Sequence, residues 1–329
     1  MKAFVVDKYK KQGALRLADV PAPELRDDDV MVRAHATAVN LLDSKVRDGE
    51  FKLFLPYRPP FILGHDVAGI VTRVGPNVRR FKAGDEVYAR PRDHRVGTFA
   101  EFIAVNEADV ALKPKNISME EAASIPLVGL TAWQALVDTA GVGAGSRVLI
   151  NGAAGGIGHL AVQIAKARGA HVTALASAAD LDFVRSLGAD EAIDYTTDFT
   201  ATVRDQDVVL DVVGGDYPAR ALDVLKPGGM LVSTQPPSVA AVADAAAQRD
   251  IRVAGVIVEA DEVGMAALAD LAARGQLVPT IAATFPLEEA RAASAMADLA
   301  ATGQQFPLEQ GGATESGRHG PGKVVLTME

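Results

Sequence analysis

The sequence predicts an α/β chain in which a doubly wound parallel sheet follows a β-rich domain of short strands. Three observations carry this. Residues 147–177, RVLINGAAGGIGHLAVQIAKARGAHVTALAS, join an apolar strand, a glycine-rich turn, a helical stripe and a second apolar strand. From Ser177 to Val258, helical and apolar strand patterns alternate, so six strands with intervening helices are expected. Residues 1 to about 120 instead hold short β runs (MKAFVV, DVMVRAHATAV, DVAGIVTRVG, DEVYA, FAEFIAV) cut by Pro, Gly and Asp.

Taken in order, the N-terminal runs are punctuated by Pro21, Pro23, Pro56, Pro59 and Pro60, with turns at Gly75-Pro76-Asn77 and Ala83-Gly84-Asp85. Ser118 followed three residues later by Glu121 is a capping box, which starts a helix near Met119. Pro126 is expected to interrupt, and LVGLTAWQALVDTA reads as a second helix ending at Gly141. Ile157, Leu160, Ala161, Ile164 and Ala165 form the helical stripe after the glycine turn, and Gly169 closes that helix. Further strands are expected at Glu191–Tyr195, Asp207–Val213, Met230–Thr234 and Ile251–Val258, with helices at Leu181–Leu187, Tyr217–Leu225 and Val239–Gln248. Glu262–Arg274 reads as a helix, Gly303–Gly322 as a polar, glycine-rich loop, and Lys323–Met328 as a strand that returns to the first domain.

Strand, helix and strand within about 30 residues form the βαβ half of a dinucleotide-binding (Rossmann) domain. Its glycines, Ala153-x-Gly155-x-x-Gly158, admit a pyrophosphate to backbone N–H groups and to the positive end of the helix. An acid at the end of the second strand holds the ribose 2′-hydroxyl of NAD and repels a 2′-phosphate. Ser177 stands there, with the first acid at Asp180, so the expected cofactor is NADPH. Ligands are expected at the carboxyl ends of the strands, where Gly155, Ser177, Val213, Gly214, Ser233 and Thr234 fall.

Composition excludes several classes. A net charge of −9 with no long basic run argues against nucleic-acid or anionic-membrane partners. The absence of cysteine removes disulfides, thiol nucleophiles and thiolate metal sites. No apolar segment matches a signal peptide or a membrane span, so the expected location is cytoplasmic.

Motifs running nearly end to end carry a resemblance. They are VNLLDSKVRDG (39–49), ILGHDVAGIVTRVG (62–75), FKAGDEVY (81–88), GTFAEF (97–102), LVGLTAWQAL (127–136), FVRSLGADEAIDY (183–195), DVVLDVVGG (207–215) and GKVVL (322–326). With the glycine turn, they resemble the zinc-independent branch of the medium-chain dehydrogenase/reductase superfamily, the quinone oxidoreductase and zeta-crystallin-like enzymes. Within it the chain looks closest to NADPH-dependent quinone and 2-alkenal reductases.

The resemblance implies a GroES-like catalytic domain over residues 1–122, a Rossmann domain over 123–275, and a C-terminal return to the catalytic domain over 276–329. It sets Asn40 near the nicotinamide ribose, Thr131 near the nicotinamide amide, and Gly155, Gly156, Ile157 and Gly158 around the pyrophosphate. Ser177 and Tyr195 fall beside the adenosine 2′-phosphate, and the basic residue frequent two positions after the serine is Ala179 here. The pocket tyrosines of the zeta-crystallin-like enzymes align with Lys45 and Phe51, whereas Asp43-x-Lys45 matches the alkenal-reductase pattern. Asn40 and Lys45 are the candidate catalytic residues. The zinc alcohol dehydrogenase ligand positions are filled by Asn40, by Gly64-His65-Asp66 and by a residue near Leu127, so no metal is expected.

The expected activity is metal-independent hydride transfer from NADPH to a quinone or an α,β-unsaturated carbonyl. A non-catalytic, crystallin-like NADPH-binding dimer and a zinc alcohol dehydrogenase are the alternatives. The apolar last strand suggests a homodimer formed by edge pairing. Of the remaining polar candidates, His65 and Asp66 are expected to pair, His94 to be solvated, His159 to bond locally at the helix start, and Trp133 to pack in the core. Asp211 is expected to tie down backbone, and Arg318 and Lys323 to be exposed loop cations.

Overall fold

The computed structural model describes residues 1–290, except 12, 14, 54, 56 and 96, together with 321–328. The 303–320 part of the expected glycine-rich loop, with Arg318, lies outside the described residues. The chain forms two compact units: Met1–Leu127 with Glu259–Ala273 and Pro279 onward, and Val128–Val258 with Arg274–Val278.

In the second unit a six-stranded parallel sheet runs in the spatial order Glu191–Asp194, His171–Ala176, Arg147–Asn151, Gln206–Asp211, Leu225–Ser233, Arg252–Gly255. Strand order reverses between Arg147–Asn151 and Gln206–Asp211, which places a topological switch point beside the glycine turn. Val148, Leu149 and Ile150 are buried, as a strand covered on both faces requires. Leu149, Val209 and Leu231 align across three strands, and Leu175, two positions along from the partner of Leu149, joins them in one apolar cluster.

The helix after the glycines, Gly158–Ala167, is buried continuously from Gly158 to Ala165, not along one stripe. The returning segment provides part of this cover: the Gln163 amide donates to the Val278 carbonyl (3.0 Å) and accepts from the Val278 N–H (2.7 Å). Gly169 follows the helix at φ +82°. As expected at Pro126, the helix from Met119 ends at Ala123 and a second helix, Pro126–Trp133, starts on the proline itself, since a first-turn position needs no N–H; a π-helical turn, Gln134–Thr139, continues it.

The first unit is built on Asp29–Val39, an 11-residue strand paired with Val67–Val74, Phe102–Asn106 and the C-terminal strand Lys323–Thr327. The last pairing is antiparallel with Val324 opposite Val39, so the next positions outward are Lys323 and Asn40. The register fixes that encounter. Glu262–Ala273 also packs on this unit, where the Tyr88 hydroxyl donates to the Met265 carbonyl (3.2 Å) and the Asn116 amide to that of Ala272 (2.8 Å). The capping box is formed as expected, with Ser118 Oγ accepting from the Glu121 N–H (3.1 Å) and Glu121 Oε2 from the Ser118 N–H (2.7 Å).

Gly69 lies where Val67–Val74 crosses a register shift in Asp29–Val39, and a Cβ there would overlap the Arg33 carbonyl oxygen. Gly69→Ala is therefore expected to cost about 1–3 kcal/mol, since backbone has to move. Gly143→Ala meets nothing within 4 Å and is expected to stay within about 0.5 kcal/mol of wild type. Urea unfolding of both variants checks the contrast.

Candidate active site

The glycine turn is shaped by two close approaches. Gly152, at φ +79°, turns the chain out of the strand Arg147–Asn151, and a Cβ on it would lie 2.7 Å from Val212 Cγ2. A Cβ on Gly158 would overlap the Gly152 carbonyl oxygen and lie 2.6 Å from Ala153 Cα. Only glycine fits at Gly158. The sharp turn that the missing first glycine of the motif would make is supplied one residue earlier by Gly152, while Ala153 is buried. Gly155, Gly156 and Ile157 form the accessible crest. No side chain caps the helix that follows, although the His159 N–H in its first turn is taken by the Gly155 carbonyl (3.0 Å). This cradle fits the pyrophosphate of a dinucleotide.

Around the cradle, Asp211 joins three strand ends. Its carboxylate accepts from the Asn151 amide (2.9 Å), the Val213 and Gly214 N–H groups (3.1 Å each) and the Ser233 hydroxyl (2.9 Å). Asp211 thus ties down backbone, as expected. Ser233 is fully buried and also accepts from the Gln235 N–H (3.0 Å), so its hydroxyl is committed to the scaffold. Val213 is 52% exposed just beyond the strand, and Thr131 is buried in Pro126–Trp133. Tyr195 follows Glu191–Asp194, and its N–H bonds the Ala176 carbonyl (3.0 Å), which sets it beside Ser177. Ser177 Oγ donates to Asp180 Oδ2 (2.6 Å). His159 Nδ1 meets the Gly155 carbonyl (3.0 Å), the local bond expected of it. His94 is exposed, and Trp133 is half-buried.

The first unit holds a buried polar cluster that sequence reasoning only partly found. Lys323, expected to be an exposed cation, is buried: its Nζ donates to Asn40 Oδ1 and the Val39 carbonyl (3.1 Å) and lies 3.8 Å from Asp66 Oδ2. The reason is its register on the inner strand of the sheet. Asn40 Nδ2 donates to Asp66 Oδ2 (2.8 Å) and to the Ala38 carbonyl (3.3 Å). The Leu127 N–H donates to Asp66 Oδ1 (2.7 Å). His65 does not pair with Asp66; its Nδ1 lies 2.6 Å from Asp43 Oδ1, while Asp43 Oδ2 accepts from the Asn40 N–H (2.8 Å). Gly64, at φ +107°, brings this segment against Phe99; a Cβ there would lie 2.5 Å from Phe99 Cδ1.

Burial pushes the Asp66 carboxyl above its ordinary value, opposed by the Lys323 charge, the Asn40 amide and the Leu127 N–H. Burial pulls the Lys323 ammonium down, opposed chiefly by Asp66 and then Asp43. Lys45, on the helix Leu41–Asp48, is half-buried; two residues along a helix are about 200° of rotation, which turns it away from the side on which Asp43 enters the cluster. The one signal that could have found Lys323 is a lone lysine opening the apolar run VVL after a glycine.

Zinc needs anionic or imidazole donors with free lone pairs. Here Asn40 and Asp66 are bonded to each other and to an ammonium, and the second Asp66 oxygen holds Leu127, which leaves His65 Nε2, unpartnered among the described residues, as one imidazole donor where a catalytic zinc needs three protein ligands. These residues do not fit a zinc ion. Among the described residues, no group of three His, Cys, Asp or Glu is arranged to hold a metal.

A doubly wound sheet with a glycine-rich turn at its switch point, on a chain that also carries a mixed β unit, is the architecture of a dinucleotide-binding fold. Comparison with known proteins narrows this. Sequence models match for an alcohol dehydrogenase GroES-like domain at residues 26–115 and a zinc-binding dehydrogenase at 187–304. The quinone oxidoreductase structure from Coxiella burnetii is 32% identical, covers 100% of this chain and 99% of its own, and superposes with a TM-score of 0.84. The chloroplastic NADPH-dependent alkenal/one oxidoreductase of Arabidopsis thaliana is 42% identical over 243 residues, 71% of this chain and 62% of that protein. The mitochondrial NAD(P)H oxidoreductase RTN4IP1 of Danio rerio is 38% identical over 252 residues, 69% of this chain and 64% of that protein. The chain thus spans less than two thirds of the length of these two relatives. It belongs to the zinc-independent, quinone oxidoreductase branch of the medium-chain dehydrogenase/reductase superfamily.

Lys323→Met leaves Asp66 buried without its cation and is expected to cost about 3–5 kcal/mol at pH 8. The loss of the charge raises the Asp66 carboxyl further, so the folded state holds a proton that the unfolded state, with its ordinary value near 3.8, has released. Stability of the variant therefore falls as pH rises through the folded value, and its deficit shrinks toward pH 4. Adding Asp66→Asn is expected to restore most of the loss. Urea unfolding of wild type and both variants between pH 4 and 8 reads the pattern.

Proposed function

We propose that the chain is a reductase that moves hydride from a reduced nicotinamide dinucleotide, NADPH by the reading of Ser177, to a quinone or an α,β-unsaturated carbonyl. The observation that carries the acceptor class is the Lys323 ammonium bonded among Asn40 and Asp66, where a zinc alcohol dehydrogenase places metal ligands. With that donor set closed, no Lewis acid polarises a simple ketone. A conjugated acceptor does not need one, because charge arriving at carbon delocalises onto the carbonyl oxygen. The names of the alkenal/one and quinone oxidoreductase relatives support the same class.

When bound, the reduced nicotinamide supplies the hydride; the residues of the chain supply position and protons. Gly155, Gly156, Ile157 and Gly158 hold the pyrophosphate, with Thr131, Ser177, Tyr195 and Val213 on the cofactor side, while the buried Ser233 hydroxyl stays with Asp211 and Gln235. Asn40 has both amide hydrogens engaged and one Oδ1 lone pair taken by Lys323. It can therefore accept from a ribose hydroxyl and orient it, but it cannot donate to a substrate oxygen. Lys45 or the oriented ribose hydroxyl is the proton source for the developing enolate.

The edge strand Arg252–Gly255, with Ile257 68% exposed just beyond it, supports a homodimer built by edge pairing. Light scattering that finds a monomer would remove this. No described helix is long and apolar enough to cross a membrane, and a cytoplasmic location is proposed, checked by cell fractionation.

Chelator-treated protein is expected to oxidise NADPH with 1,4-benzoquinone, 9,10-phenanthrenequinone or a 2-alkenal, and not with a simple ketone. Normal cofactor binding without turnover of any acceptor would point to a non-catalytic dinucleotide-binding protein. In the same assay Asn40→Ala is expected to lower kcat at least tenfold while raising the cofactor Kd only a few-fold. Unchanged kcat would remove Asn40 from the reaction.

A further inference from the structure

We infer that Asp180 is a cofactor-specificity residue, and that through it the chain takes NADH about as readily as NADPH. This rests on the reading that the second unit binds a nicotinamide dinucleotide.

Ser177 ends the second strand of the βαβ unit, the place from which an acid holds the 2′-hydroxyl of an NAD ribose. The chain lacks an acid at that position, but the fold returns one to it. Ala178–Asp180 is a single 3₁₀ turn, so position 180 folds back over position 177, and the Ser177 hydroxyl donates to Asp180 Oδ2 at 2.6 Å. The serine is therefore not a free hydroxyl with room around it; a carboxylate sits at hydrogen-bond distance from it.

That carboxylate has no cationic partner among the described residues. Arg185, the next basic residue along the chain, is held by Asp182 at 2.7 Å. Lys166 is held by Asp190 at 2.7 Å. Arg220 stacks on Phe199, 4.4 Å from its centroid, with Asp198 at 3.6 Å. Position 179, two residues after the serine, is alanine.

A 2′-phosphate carries close to two negative charges, and beside an unpaired carboxylate it is repelled. A 2′-hydroxyl is neutral and donates a hydrogen bond, which a carboxylate accepts. Oδ1 of Asp180 has no partner among the described residues and is available for it. The same side chain thus favours NADH and penalises NADPH, against a serine that by itself favours the phosphate.

The test is direct binding, read from quenching of the single tryptophan and confirmed by calorimetry, for NADH and NADPH on wild type, Asp180→Asn and Ala179→Lys. Thermal unfolding checks that each variant is folded. Wild type is expected to bind the two within about tenfold of each other. Asp180→Asn is expected to shift the ratio about tenfold toward NADPH, mostly by tightening NADPH, and Ala179→Lys to shift it in the same direction. A wild-type preference for NADPH above a hundredfold, or a ratio that Asp180→Asn leaves unchanged, overturns the inference. Failure of wild type to bind either nucleotide at millimolar concentration overturns the underlying nucleotide-binding reading instead.

Discussion

The buried contact of the Lys323 ammonium with Asn40 and Asp66 is the constraint on which the first unit depends. A charge removed from water is costly unless paired and hydrogen-bonded, and here three distant pieces of chain must meet to satisfy it. Asn40 comes from the end of the longest strand, Asp66 from the segment after Gly64, and Lys323 from the last strand. The Leu127 N–H brings in a fourth piece at the start of a helix. The C-terminal strand is thus held not only by its ladder to Asp29–Val39 but by a cation that has no other place to go.

The same contact supports the acceptor class proposed for the chain. A buried ammonium gives a fixed positive charge without open coordination sites, so it stabilises neighbouring carboxylates but cannot bind a substrate oxygen as a metal would. In the second unit Asp211 has the corresponding structural role. It gathers Asn151, Val213, Gly214 and Ser233 at the point where the strand order reverses, and so sets the floor beside which the glycine cradle stands.

Much of the fold was legible because it rests on local patterns. The apolar run Val148–Ile150, the glycines and the capping box at Ser118 each state their structure within a few residues. The site was legible where a backbone requirement is written as glycine, as at Gly158, and less so where side chains from separate strands meet. His65 looked like the partner of its neighbour Asp66 because chain adjacency is all a sequence shows; in the fold the first meets Asp43 and the second meets Asn40. Lys323 looked like a loop cation because its burial follows from a register with a strand nearly 300 positions earlier.

By itself the sequence determined the class of the sheet, the position of its glycine-rich turn and the superfamily, since period, glycine placement and ordered motifs are local properties of a chain. Tertiary structure alone decided which charges are paired. It turned Lys323 inward against Asn40 and Asp66, and it folded Asp180 back onto Ser177. The physical reason is that the energy of a charge depends on burial and on neighbours that arrive through folding, and neither is encoded by the residues beside it.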